Sequence, residues 1–200
     1  LWSSGHTTAQ ASGLPAGDYT VTATDDDNCE ATASVTVAPP DSINITLTIT
    51  SSYSDSTISC YGESDGNILA TATGGTGNYD YIWNTGASLP FIENLVAGDY
   101  DLTVRDENGC VEEARVTLAE PTPINATINA QDVTCPGGEN SGLIAITNPI
   151  GGTAPYRYAF NNQTFGTIPE VTNLQAGTYA LVLQNDNGCE KIFDQIIIIR

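Results

Sequence analysis

Hydrophobic and polar residues alternate with a period of two along most of this chain. Tyr100, Leu102 and Val104 alternate with polar neighbours, and a second alternating row covers residues 114–118. Successive side chains of a strand point to opposite faces, so each row predicts a strand with one buried face. An Asn-Gly pair lies between the two rows and favours the positive backbone angles of a tight turn. The pattern predicts a β-hairpin.

The sequence of this hairpin occurs three times along the chain. Its landmarks are glycines and cysteines whose spacing is 81 and then 79 residues in both series: Gly17, Gly98 and Gly177, and Cys29, Cys110 and Cys189. Solenoid repeats have periods of about 20–50 residues, whereas a period near 80 is typical of small domains in tandem. We therefore expect a string of similar domains.

A second landmark sets the boundaries of these domains. The stretch "CYGESDGNILATATGGTGNYDYIW" at 60–83 aligns with "CPGGENSGLIAITNPIGGTAPYRYAF" at 135–160. Residues 41–121 and 122–200 are then complete repeat domains. Residues 1–40 match only the C-terminal half of a repeat, so we expect an incomplete first domain whose remainder lies outside this sequence.

The predicted fold class is all-β. Each repeat contains six or seven short alternating stretches and no helical stripe of apolar residues. That number of strands predicts tandem immunoglobulin-like β-sandwich domains. The stretches joining them, "VAPPD" and "LAEPTP", are short and contain proline, which makes stiff spacers. The expected arrangement is an extended rod.

Charge and residue usage exclude several functions. Five Lys plus Arg against 24 Asp plus Glu give a net charge of −19, which disfavours nucleic acid or an anionic membrane as a partner. No apolar run is long enough to span a bilayer, so we expect no membrane insertion. The single histidine, the lack of a Ser/His/Asp order and the lack of a phosphate-binding loop predict no catalytic residues and no enzyme. No methionine and no signal peptide are present, so we expect the targeting signals outside this sequence.

The five cysteines predict disulfides in an oxidising, extracellular setting. Equivalent positions in the two complete repeats suggest the pairs Cys60 with Cys110 and Cys135 with Cys189, and Cys29 would pair with a cysteine outside the sequence. Each bridge would tie the last hairpin to the segment before the second strand. Zinc is the competing use, but isolated cysteines without a histidine partner do not have its ligand spacing.

The spacing Leu-x-x-Gly-x-Tyr resembles the tyrosine corner of immunoglobulin-like sandwiches, in which the hydroxyl bonds back to upstream backbone. It occurs three times: Leu14, Gly17 and Tyr19; Leu95, Gly98 and Tyr100; Leu174, Gly177 and Tyr179. A further expectation concerns the acidic hairpin tips, such as residues 25–27. Their carboxylates could hold Ca²⁺, although they match no established calcium loop, and no other metal or cofactor is expected.

Taken in order, the motifs resemble a known family. Cys-x-Gly-x-x-x-Gly, Gly-Gly-Thr-Gly, Leu-x-Ala-Gly-x-Tyr and Asp-x-Asn-Gly-Cys, followed by Glu-Pro, are similar to the SprB-type repeat of giant cell-surface adhesins in gliding Bacteroidota. The resemblance implies type IX secretion, an extracellular or cell-surface location and a non-enzymatic stalk in an adhesive filament. Ligand-binding accessory modules of a secreted enzyme, taking carbohydrate, are the alternative.

Partners and modification follow from the same resemblance. We expect further copies of the repeat, in the same chain or in a fibre, to complete the first hairpin, because an unpaired edge with an apolar row invites pairing. Surface glycans or other cells are possible adhesion partners. Asp41-Ser42-Ile43 and Asp55-Ser56-Thr57 look like the O-glycosylation signal of Bacteroidota, which implies sugars on Ser42 or Ser56.

Overall fold

The computed structural model describes residues 1–134, 140–161 and 163–200. Within these residues the chain forms strands and no helix, which confirms the all-β prediction. The strands are β1 (Gly17–Thr24), β2 (Glu30–Val37), β3 (Asn44–Ile49), β4 (Gly66–Thr73), β5 (Tyr79–Trp83), β6 (Phe91–Leu95), β7 (Gly98–Asp106), β8 (Val111–Leu118), β9 (Asn125–Gln131), β10 (Gly142–Ile150), β11 (Arg157–Phe160), β12 (Glu170–Leu174), β13 (Gly177–Gln184) and β14 (Glu190–Ile198).

The sheets repeat the same strand order. The second repeat has sheets β3-β4-β6 and β5-β7-β8, and the third has β9-β10-β12 and β11-β13-β14. In each case the first, second and fourth strands form one sheet, and the third, fifth and sixth form the other. Two separate three-stranded antiparallel sheets per repeat are consistent with β-sandwich domains.

The core of the third repeat draws on both of its sheets. Ile144 and Ile146 of β10 pack in one cluster with Leu181 of β13 and Ile198 of β14. Along β10 the buried residues are every second one, as a strand with one face in the core requires. The predicted period-two pattern therefore places the apolar row between the sheets.

By proximity of its Cα atoms, the chain divides into two compact units. One comprises residues 1–44, 72–80 and 104–112, and the other residues 45–71, 81–103 and 113–200. This division does not follow the sequence repeat, whose boundaries at 40/41 and 121/122 stay a prediction, as does the rod.

The first repeat consists of the β1–β2 hairpin and a short stretch beside it. Trp2 bridges Val21, and the Thr22 amide donates to the Leu1 carbonyl over 2.8 Å. The indole of Trp2 donates to a backbone carbonyl six residues on, as that of Trp83 does. One side of the hairpin remains open, since Val35 is 48% exposed.

Each tyrosine of the Leu-x-x-Gly-x-Tyr motif makes the back-bond that the pattern predicts. The hydroxyls of Tyr19, Tyr100 and Tyr179 donate to the carbonyls four residues upstream over 2.8, 2.8 and 2.9 Å. The glycine two residues before Tyr100, Gly98, has a φ of +153°, a value that side chains rarely adopt. The motif fixes the turn that leads into β7.

Removing one hydroxyl tests this role. Tyr100 is buried and burial raises the pKa of its phenol, so Tyr100→Phe leaves the Val96 carbonyl without its donor in a nearly dry site. We expect the free energy of unfolding to fall by about 1–2 kcal/mol, measured by urea denaturation. The matched control is Tyr19→Phe at the half-buried equivalent, where water can replace the donor and the loss should be smaller. Equal losses at both sites would contradict the account.

Candidate functional site

A single disulfide is formed among the described residues, and it joins two successive repeats. Cys60 and Cys189 are bonded with an S–S distance of 2.05 Å and a Cα–Cα distance of 5.6 Å, across a sequence separation of 129 residues. Cys29 and Cys110 are exposed free thiols. The candidate site is the junction around this bridge.

The predicted pairs are therefore wrong. Cys60 does not bond Cys110, and Cys189 does not bond Cys135, because Cys60 and Cys189 bond each other. Cys135 lies outside the described residues, and the predicted partner of Cys29 is untested. The bridge does connect a hairpin cysteine to the loop before a second strand, but the loop belongs to the neighbouring repeat.

The reason is visible in the third repeat, where the hairpin cysteine and the start of β10 lie at opposite ends. The tip of the β13–β14 hairpin contacts the turn after β10, since the Asp186 amide donates to the Thr153 carbonyl over 3.0 Å. The loop before β10 enters that strand at Gly142, eleven residues before Thr153. A nine-residue strand is about 30 Å long, whereas the Cα atoms of a disulfide lie within about 7 Å of each other.

The β3–β4 loop, which carries Cys60, is held at the downstream end of its own repeat. Hydrogen bonds between Thr57 and Ala119 join it to the end of β8, and the Gly62 amide donates to the Glu120 carboxylate over 2.6 Å. These contacts place Cys60 beside the linker that leads to the third repeat.

Within that loop, Asp65 anchors the residue before the cysteine. Its carboxylate accepts the Ser59 amide over 3.1 Å. Burial works to raise the pKa of Asp65, but hydrogen bonds from Ser59 and Tyr53 outweigh it and hold the pKa below its usual value. Asp65 is therefore ionised at neutral pH and fixes Ser59.

The β13–β14 turn, which carries Cys189, is held at the upstream end of the third repeat. Its neighbouring turn is tied to the linker by the Gly152 amide, which donates to the Thr122 carbonyl over 2.8 Å. Asn187 Nδ2 lies 3.4 Å from the Ser59 carbonyl oxygen, and Cys189 Sγ lies 3.2 Å from the same atom. Two side chains of the hairpin thus converge on the β3–β4 loop.

The turn itself depends on the side chain four residues before the cysteine. Asp25, Asp106 and Asn185 each accept the cysteine amide on Oδ1, over 2.9, 2.8 and 2.8 Å. Asp106 is 3% exposed, and burial works to raise the pKa of its carboxyl. The amides of Cys110, Thr76 and Asn108 together outweigh burial, so the pKa lies below its usual value.

Asn185 makes fewer hydrogen bonds than Asp106 does at the equivalent position. The second oxygen of Asp106 accepts the Thr76 amide over 3.0 Å, whereas the equivalent atom of Asn185 is a buried Nδ2 without a hydrogen-bond partner. An amide nitrogen cannot accept a proton from the backbone, so this site keeps an unpaired donor.

We predict that Asn185→Asp stabilises the chain. The new carboxylate would accept the Thr153 amide as Asp106 accepts that of Thr76, raising the melting temperature at pH 7 by about 2–4 °C. A carboxyl whose folded pKa is depressed adds stability above its unfolded pKa of about 4, and this gain is lost as the pH falls through the folded value.

The reverse substitution, Asp106→Asn, is the matched control and should destabilise at pH 7 with a difference that fades towards pH 3. Scanning calorimetry at both pH values measures the pair. No gain from Asn185→Asp at pH 7 would refute this reading of the turn.

Next to the bridge is an open groove of about 440 Å³ lined by Tyr61, Glu63, the linker prolines and Lys191. Across the described residues, no group of three or more His, Cys, Asp or Glu side chains is placed to hold a metal ion. Oδ1 of Asp25 accepts the Asp27 and Cys29 amides, so one of the predicted calcium ligands already has partners. Calcium binding stays a prediction.

The two predicted glycosylation sites differ in accessibility. Ser42 is exposed before β3, whereas Ser56 is half-buried and its hydroxyl donates to the Ile58 carbonyl over 2.5 Å. A glycosyl group can reach the Ser42 hydroxyl with less rearrangement. Both sites stay predictions.

Among the described residues no helix is long and apolar enough to cross a membrane. A search of curated proteins found no significant match. The family model described as "SprB repeat" matches residues 56–88 and 127–165, the first halves of the second and third repeats. SprB repeats are non-enzymatic and occur in surface-exposed proteins, and they indicate an adhesin-type region of the cell surface. The two matched segments of this all-β chain are similar to the SprB repeat, the family that the sequence motifs predicted.

Proposed function

We propose that this chain is a stalk segment of an extracellular bacterial adhesin, in which β-sandwich repeats are coupled in series by linkers and by inter-repeat disulfides. The observation that carries the proposal is the Cys60–Cys189 bridge, which crosses the linker between two repeats. A stalk must transmit tension, and a covalent bond parallel to a linker carries load that a non-covalent interface would not.

The linker itself supports this function. Only six residues separate β8 from β9, and two of them are prolines, Pro121 and Pro123. Proline restricts the backbone, and the Thr122 carbonyl is already bonded to Gly152 of the next repeat. A short linker with internal contacts leaves the junction little freedom to bend.

Charge favours an extended, soluble chain. The net charge of −19 repels other copies of the same chain and disfavours compaction of one repeat on another. The ion pair of Arg115 with Asp101 lies on the surface and adds little stability. Surface repulsion of this kind suits a stalk that projects from a cell.

The buried tryptophan of the second repeat is closed to carbohydrate. Trp83 is 2% exposed, and its indole nitrogen donates to the Leu89 carbonyl over 2.9 Å. A stacking platform needs an open aromatic face. The proposed role of the segment is therefore to space and present an adhesive region rather than to bind sugar itself.

Small-angle X-ray scattering of the oxidised chain tests the stalk. We expect an elongated particle whose longest dimension is far greater than that of a globular protein of 200 residues, whose radius of gyration is about 16–17 Å. A compact particle would contradict the proposal. Binding to a glycan array would instead favour the accessory-module alternative, and we expect none.

A further inference from the structure

The turn of the β7–β8 hairpin has the same structure as the turn that holds the bridge. In the third repeat the Asn185 amide donates to the Cys189 carbonyl over 3.0 Å, and the Asp106 amide does the same with Cys110 over 3.0 Å. Gly188 and Gly109 both have a φ of +83°. The backbone therefore has the same conformation in the turns that lead to Cys110 and Cys189.

The residues that contact the β3–β4 loop are also the same in the two hairpins. Asn187 and Cys189 converge on the Ser59 carbonyl, and the second repeat has Asn108 and Cys110 at the two equivalent positions. In the third repeat the cysteine is buried by the bridge, whereas Asn108 and Cys110 are both exposed. The β7–β8 hairpin therefore presents, in exposed positions, the same two side chains that contact the β3–β4 loop in the third repeat.

We propose that this hairpin binds the cysteine-bearing loop of a preceding repeat in the same polypeptide, and that Cys110 forms a second inter-repeat disulfide with it. The occupant has the chemistry of the β3–β4 loop: a backbone carbonyl that accepts from Asn108, followed by a cysteine. This inference rests on the proposed stalk function and gives it a repeating covalent element, one bridge at each junction.

The bridge forms by oxidation of two thiols. Each thiol loses one proton and one electron, and a low-molecular-weight disulfide such as oxidised glutathione takes up the two electrons through thiol–disulfide exchange and becomes two thiols. The occupant is thereby joined to Cys110 with no other change in the chain.

The first hairpin differs from the other two at one of the positions that contact the loop. Its turn keeps the same backbone bonds, with the Asp25 amide donating to the Cys29 carbonyl over 3.0 Å, but Asp27 stands where the other two hairpins have asparagine. An ionised carboxylate has no hydrogen to donate to a loop carbonyl. We expect Cys29 to be a poorer acceptor of such a loop than Cys110.

A duplicated chain tests the proposal directly. A second copy of residues 41–121 is inserted after residue 121, so that the first copy precedes the second as an additional repeat. Cys29 and Cys135 are changed to serine to limit the pairings. Tyr61→Phe and Val111→Ile mark the first copy by mass at two exposed positions. The chain is oxidised with glutathione and digested without reduction.

We expect Cys60 of the first copy to be linked to Cys110 of the second, Cys60 of the second copy to Cys189, and Cys110 of the first copy to be a free thiol. Asn108→Asp in the second copy should lower the yield of the new bridge several-fold while leaving the bridge to Cys189 intact. A link between Cys60 and Cys110 of one copy, or free thiols at both predicted positions, would overturn the proposal.

A peptide experiment on the unaltered chain is independent of how the duplicated chain folds. A peptide of residues 56–66, activated as a mixed disulfide on its cysteine, should react with Cys110 several-fold faster than a scrambled peptide does, at high salt to screen like charges. Equal rates would count against docking. Failure of either test with an elongated particle in scattering would leave the stalk in place, whereas a compact particle would remove the stalk itself.

Discussion

Pulled from its two ends, the reduced chain should unfold to a length about 45 nm greater than the oxidised chain. The Cys60–Cys189 bridge spans a sequence separation of 129 residues, and an extended residue contributes about 3.3–3.6 Å. While the bridge is intact, the enclosed residues cannot extend, because force passes from one cysteine to the other. Single-molecule force spectroscopy with and without a reductant measures the difference.

Cysteine variants separate this bridge from any other effect of the reductant. Cys60→Ser should give the long extension without reductant, and Cys110→Ser should keep the short one. A gain in length on reduction that corresponds to only about 50 extended residues would instead indicate a disulfide within one repeat, as between Cys60 and Cys110.

Loss of the bridge should also produce the largest change in stability of any single substitution considered. A closed loop of about 130 residues restricts the unfolded chain, and the loop-entropy estimate of the stabilisation is about 5 kcal/mol. Cys189→Ser should lower the free energy of unfolding of the oxidised chain by an amount of that order. Urea denaturation of the oxidised protein measures it.

Two comparisons make this expectation specific. Cys110→Ser removes a free, exposed thiol and should leave the stability within about 0.5 kcal/mol. Under reducing conditions the bridge is absent and its contribution to stability is lost. The wild-type chain and Cys189→Ser should then have nearly equal free energies of unfolding. A Cys110→Ser loss as large as that of Cys189→Ser would contradict the connectivity.

Local pattern was enough to predict the strands and the turns. Tyr100, Leu102 and Val104 repeat every second residue, and all three are buried on one face of β7. The Leu-x-x-Gly-x-Tyr spacing likewise specifies a short-range bond between residues four apart, such as Tyr100 to Val96. Both features depend on neighbours in sequence, so the sequence alone determines them.

The disulfide partner depends on where the ends of separate strands lie, which local pattern does not report. Equivalence between repeats marks Cys60 and Cys110 as related positions, but it does not say that the hairpin tip lies at the upstream end of a repeat. One sequence signal was available: Ala119 and Glu120, which hold the β3–β4 loop, are the first two residues of the linker. Their contacts become evident only once β8 is placed beside that loop.

The difference between Asp106 and Asn185 shows a second limit. The sequence identifies both as turn residues before a cysteine, since aspartate and asparagine each accept a backbone amide. Whether the second side-chain atom meets a donor is decided by Thr76 and the buried surroundings of the turn. That information belongs to the packing of two distant segments.

Peptide mapping of the oxidised 200-residue chain under non-reducing conditions tests the central claim most directly. Free thiols are alkylated first at low pH to prevent exchange, and the digest is examined by mass spectrometry. We predict a cross-linked peptide that contains Cys60 and Cys189, together with alkylated Cys29 and Cys110. A Cys60–Cys110 cross-link would contradict the account, because the bridge would then lie inside one repeat and the junction would have no covalent coupling.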